Sequence, residues 1–212
     1  MTGMIEPSAA PQEVPASRVH GLSDGVFAIV MTLLVLELHV PEQLEVLGQA
    51  ARDARISSEL VALLPRLLIY VFTFIVAGIS WLSHTRLQSN VLHTDRRLAF
   101  LNVIYLMLVS LLPFTSGVIG SYGDTPAGVA AYALNQVLIG TAFLGMLRHA
   151  VSHSLLRPGW QAERLGQRAL VNLGVFALMT AFAFVALPLA WYTPFLLLAA
   201  HPLLSRAAWR SW

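Results

Sequence analysis

From Gly25 to Leu36 the chain is apolar except for Thr32, yet the residues just before this run include Arg18, Ser23 and Asp24. The same alternation recurs along the chain. Long apolar segments cover about residues 19–40, 58–82, 97–119, 127–148, 168–190 and 192–209, separated by short polar connections. Each is close to the roughly 20 residues that cross a hydrocarbon core as a helix. The pattern predicts an all-α integral membrane protein with six transmembrane helices per subunit. It divides into an N-terminal tail over 1–16 and a single transmembrane domain over 17–212, and the longest polar loop runs over 41–57.

Composition agrees with this class, since 57% of residues are hydrophobic and 11% are charged. These spans consume nearly the whole chain and leave no room for a soluble catalytic domain. The first span lacks a basic leader and a small-residue cleavage site and contains Asp24 and Glu37, so it is expected to be retained. Cysteine is absent, which excludes disulfides and thiolate chemistry.

All 13 basic residues are arginine. Arg86, Arg96, Arg97, Arg148, Arg157, Arg164, Arg168, Arg206 and Arg210 fall in or beside alternate connections and the C-terminus, whereas the opposite connections hold Arg52 and Arg55. The bias of positive charge toward the inner side places both termini in the cytoplasm. An arginine belt of this kind sets topology and meets lipid headgroups in the bilayer, and no nucleic-acid or protein partner is assigned.

Asp24 cannot lie unpaired in lipid without a cost of several kcal/mol, so a cationic or hydrogen-bonding partner is expected. Arg18 is six residues away, off the spacing at which helix neighbours meet, which makes Arg97, Arg168 or His84 from another helix at least as suitable. Asn102 can bond across helices, and Pro113 and Pro188 are expected to kink the third and fifth spans. Gly78, Gly117, Gly120, Gly140 and Gly145 are read as packing residues. His149 and His153 have a metal-chelating spacing but no carboxylate within the pair, and no metal or other cofactor is expected. Hydrolase, P-loop, metalloprotease and dinucleotide fingerprints are all missing, so no catalytic residue is assigned and the protein is not read as an enzyme. The T-V-G-Y-G potassium filter is missing as well.

On a helical projection of about 100° per residue, Ile29, Leu33 and Leu36 form one stripe, with Ser23 and Asp24 pointing away from it. Such a stripe commonly means lipid contact or packing. Around a central axis, however, it would form aliphatic rings able to close a pore sterically or by dewetting.

The sequence Arg18-x-x-x-Leu22-Ser23-Asp24-Gly25 and its continuation V-F-A-I-x-x-T-L-L-V-L-E-L resemble the transmembrane protein 175 family of potassium channels, whose prokaryotic members carry arginine followed by F-S-D-G in the first helix. Trp81-x-x-His84, Asp95-x-x-Leu98, Asn102 and Pro113-Phe114 are also similar to that family, so recognisable motifs cover about the first 115 residues. Leu22 replaces the usual phenylalanine, and Thr85 stands where many members carry a second histidine.

The resemblance implies a homotetramer of six-helix subunits in a prokaryotic cell membrane, with the first helices lining a path for potassium ions and no conventional filter loop. It further implies a constriction at Ile29, Leu33 and Leu36 with Thr32 nearby, and a polar network of Arg18, Ser23, Asp24, His84 and Asn102 holding the pore helix. Aliphatic rings supply no oxygen ligands, so the expectation of a potassium-selective leak channel rests on the resemblance. Two readings from other classes stand beside it: a proton- or solute-coupled transporter using Asp24 and Arg18, and a membrane scaffold without transport.

Overall fold

A computed structural model describes residues 16–38, 56 and 58–196. Its long elements are α1 (Ala16–Leu33) followed by a 3-10 turn (Leu34–Glu37), α2 (Leu64–Ser89), α3 (Arg96–Ser110), α4 (Leu112–Tyr122), α5 (Pro126–Ser152) and α6 (Ala162–Val185), with a short α7 (Leu187–Ala190). The fold is all-α, and an isolated antiparallel bridge joins Val91 to Leu156. Among the described residues, five helical stretches are long and apolar enough to cross a bilayer: Ser17–Glu37, Leu64–Ser89, Arg96–Tyr122, Pro126–Ser152 and Ala162–Val185. The expected sixth span at 192–209 and the tail over 1–16 lie almost entirely outside the described residues, as does most of the loop over 41–57.

Observed helix ends differ from the apolar segments where polar residues continue a helix. The second element runs on to Ser89, because its last two turns carry His84, Arg86 and Gln88 and still bury His84, Leu87 and Gln88. The third apolar segment is two helices: α3 ends at Ser110, and Pro113 occupies the first turn of α4, where its missing N–H costs nothing. Pro188 likewise does not bend a continuous helix. The long helix stops at Val185, and Pro188 lies in the first turn of α7.

Two helix starts are capped by side chains. The Asp95 carboxylate accepts from the Leu98 N–H at 2.6 Å, and Thr125 Oγ1 accepts from the Gly128 N–H at 3.1 Å.

The helices pack around two buried clusters. One joins Phe27 and Val30 of α1 to Leu87, Leu98, Tyr105, Phe143 and Met146. The other joins Val76, Ile119, Tyr132, Phe176 and Met179. Outside them, large apolar residues such as Leu68, Phe100, Phe114, Phe184 and Val185 are exposed, as suits a surface solvated by lipid tails. Helix α1 leans on α2 and α3, and the 3-10 turn leans on α4. There the Glu37 carboxylate fills the space beside Gly117, where even a methyl group would overlap it. Of the other packing glycines, Gly140 meets Leu173 across α5 and α6, whereas Gly78 and Gly145 face open space.

Candidate ion path and the anchor of the first helix

Helix α1 has two unlike faces. Val19, Ser23, Phe27, Val30 and Leu34, spaced four, four, three and four apart, are buried against the rest of the subunit. On the other side Ile29, Leu33 and Leu36 are 60%, 41% and 65% exposed, against 1%, 2% and 0% for Phe27, Val30 and Leu34. The 3-10 turn contributes to the alignment. Advancing about 120° per residue instead of about 100°, it brings Leu36 between Ile29 and Leu33 in projection. The three residues expected at a constriction therefore share one bare aliphatic face. Thr32 is exposed beside them, and its Oγ1 donates to the Ile29 carbonyl at 2.7 Å. With its proton held by the backbone, this hydroxyl turns acceptor lone pairs outward.

The buried face is fixed by a directional hydrogen-bond chain. Asn102 of α3 donates through Nδ2 to Ser23 Oγ at 3.2 Å, and Ser23 Oγ donates to the Val19 carbonyl at 2.8 Å. On its other side Asn102 Oδ1 lies 2.7 Å from His84 Nε2 and accepts from Gln88 Nε2 at 3.3 Å. A carbonyl oxygen can only accept, so His84 Nε2 carries the proton in this arrangement. The His84 ring stacks on Tyr105 with centroids 5.1 Å apart and planes within 5°, and Phe27 covers the pair from α1 at 6.0 Å and 6.2 Å. All of Ser23, His84, Gln88 and Asn102 are buried. In an apolar surround such a chain persists because losing one member leaves the others unsatisfied.

Asp24 has a hydrogen-bonding partner, but none of the residues named for it. Its Oδ1 accepts from the Trp81 indole N–H at 2.9 Å, one helical turn before His84 on α2. Neither Arg97, Arg168 nor His84 supplies that bond; an indole N–H satisfies a carboxylate at the polar end of a span without a second charge. Arg18 is exposed, and among the described residues it joins neither the Asn102 chain nor Asp24. The expected network is thus gathered at Ser23, His84 and Asn102, with Asp24 on an adjoining contact and Arg18 outside. Gln88 was missed, although a polar residue four positions after His84 in an apolar helix was available as a signal.

A second polar cluster escaped the sequence altogether. Thr73 Oγ1 donates to the Tyr132 hydroxyl at 3.3 Å, Ser116 Oγ donates to Thr73 Oγ1 at 3.3 Å, and Gln136 Nε2 donates to Tyr132 at 3.1 Å. It ties α2, α4 and α5 together.

At the arginine-rich end, His149 Nε2 lies 2.8 Å from Asp95 Oδ2. Partial burial raises the Asp95 carboxyl, but the Leu98 N–H and the adjacent His149 and His153 outweigh it and hold the group below its ordinary value. Among the described residues no cluster of histidines and carboxylates is arranged to hold a metal.

With this geometry in place, comparison with known proteins is specific. The family described as endosomal/lysosomal potassium channel TMEM175 matches residues 18–113. A potassium channel of Streptomyces collinus is 35% identical over 200 residues, covering 90% of this chain and 89% of its own. A potassium channel of Chamaesiphon minutus is 34% identical over 146 residues, covering 68% of this chain and 70% of its own. The crystal structure of a lysosomal potassium-selective channel TMEM175 homolog from Chamaesiphon minutus superimposes with a TM-score of 0.74 at 26% identity, over 91% of this chain and 98% of that one.

Proposed function

The chain belongs to the TMEM175 family of channels, and on that premise we propose that four copies surround a potassium path lined by α1, with Ile29, Leu33 and Leu36 forming its narrow part. The protein is a potassium channel. Its proposed setting is the plasma membrane of a prokaryote, with both termini on the arginine-rich cytoplasmic side. Potassium is the permeant ion and no cofactor takes part.

The observation that carries this reading is the bare aliphatic face of α1, backed by a buried face too firmly bonded to turn outward. In a ring of four, that face lines a passage narrow and oily enough to expel water unless the helices separate slightly. Thr32 adds oxygen lone pairs beside the constriction, where a partly dehydrated cation can use them. Ser23, Asn102, His84 and Gln88 keep α1 at a fixed rotation, and the Asp24 contact with Trp81 secures its polar end.

The test is potassium and sodium flux, with single-channel recording, from purified protein in liposomes. Ile29→Asn and Leu33→Asn should raise conductance and weaken the preference for potassium. Currents identical to wild type in both variants would remove these side chains from the path, and slow, saturable, proton-coupled flux would point to a transporter.

A further inference from the structure

At the arginine-rich end of the subunit, an open groove of about 510 Å3 lies between α3 and α5. Its more buried lining, the floor, is Leu101, Gly145 and His149, and its exposed lining, the rim, is Arg97, Arg148, Ser152 and His153. We propose that this groove binds an anionic phospholipid, with the phosphate between Arg97 and Arg148 and the start of an acyl chain over Gly145.

Three observations support that occupant. Both arginines are exposed, and among the described residues neither has a carboxylate partner. Asp95, two residues before Arg97, is already bonded to His149 and to the Leu98 N–H. Apart from His149, whose Nε2 is engaged by Asp95, the floor is apolar, and a Cβ on Gly145 would meet nothing within 4 Å. A free phosphate has no use for an oily floor, whereas an amphiphile whose headgroup sits at the end of two membrane helices uses both parts. Paired arginine forks bind a phosphodiester in the manner such groups favour, and basic pockets between membrane helices are suited to lipid headgroups. Ser152 supplies a further hydroxyl at the rim.

This proposal is separable from ion conduction, because its readout is binding. The experiment is native mass spectrometry of the purified assembly, titrated with phosphatidylglycerol, phosphatidylcholine or inorganic phosphate. Wild type should retain phosphatidylglycerol in preference to phosphatidylcholine. The double change Arg97→Gln with Arg148→Gln should weaken that retention roughly 30-fold, from two headgroup charges.

Gly145→Leu keeps every charge and puts an aliphatic side chain over the floor at a position where its Cβ has free space. It should lower phosphatidylglycerol retention about 10-fold while leaving the unfolding temperature unchanged or higher. Unaltered retention in Gly145→Leu would reduce the effect to general attraction by the arginine belt and overturn the groove. Equal retention of phosphatidylcholine, or full competition by inorganic phosphate, would overturn it too. Dissociation of the Gly145→Leu assembly with unchanged lipid retention would assign the groove to a neighbouring copy instead. If Gly145→Leu does not fold, the arginine double change alone decides, since unchanged selectivity there rejects the site.

Discussion

The two faces of α1 solve opposite problems with neighbouring residues. Phe27 is sealed against the stacked rings of His84 and Tyr105, and Ile29, two positions on, touches little within its own subunit. One face is specified by aromatic packing and a directional chain of hydrogen bonds; the other is specified only by being aliphatic. On the reading proposed above, a pore-lining helix without a filter loop draws its precision from behind. Fixed rotation of the helix places side chains that have no polar contact of their own.

The largest effect is expected where the sealed face is emptied. Phe27→Ala should cost about 3–5 kcal/mol, and Ile29→Ala should change subunit stability by no more than about 0.5 kcal/mol. Thermal unfolding in detergent, followed by tryptophan fluorescence, measures both; equal losses would erase the asymmetry between the faces. Next comes Asn102→Leu, which leaves His84, Gln88 and Ser23 without their shared partner and should cost about 2–3 kcal/mol. Adding Ser23→Ala to that variant should cost little more, because the two residues belong to one chain. Independent, additive losses would break the network into separate contacts.

A smaller loss than that of the buried chain belongs to the start of the same α3, where Asp95 caps the helix and meets His149. Asp95→Ala should cost about 1 kcal/mol at neutral pH. Because the folded carboxyl titrates below its ordinary 3.8, its contribution is present above that pH and is lost as pH falls through the lower folded value. Wild type and Asp95→Ala should therefore converge in unfolding temperature on strong acidification, and a gap that persists there would assign the loss to packing alone.

Much of this architecture is legible in the chain because lipid leaves few alternatives: an apolar stretch must satisfy its own backbone, so hydropathy marks helices directly. Breaks within apolar segments are less visible. Pro113 and Pro188 were expected as kinks but lie in the first turns of new helices. Ser23, His84 and Asn102 stand out as polar residues in apolar spans, and the structure brings them together. Their connection to Gln88 depends on which way two side chains lean from separate helices, which periodicity does not encode. Asp24 has the hydrogen-bonding partner that its place in lipid demands, but the donor is Trp81, which reads in sequence as an interfacial aromatic, and not one of the arginines or His84. The cluster around Tyr132 was hidden for a similar reason, since tyrosine and threonine pass for ordinary apolar and packing positions until their hydroxyls meet.

The one-way order of the bonds around Asn102 also bears on protons. A relay needs members that pass a proton on and then reset, and a carboxamide that accepts from His84 and donates to Ser23 does neither without flipping. The Val19 carbonyl at the end of the chain is a terminus with nothing beyond it to receive charge. The anchor therefore offers protons no route of its own; on the reading proposed above, hydrogen ions crossing this membrane share the water of the central passage with potassium instead of leaking through the wall that supports it.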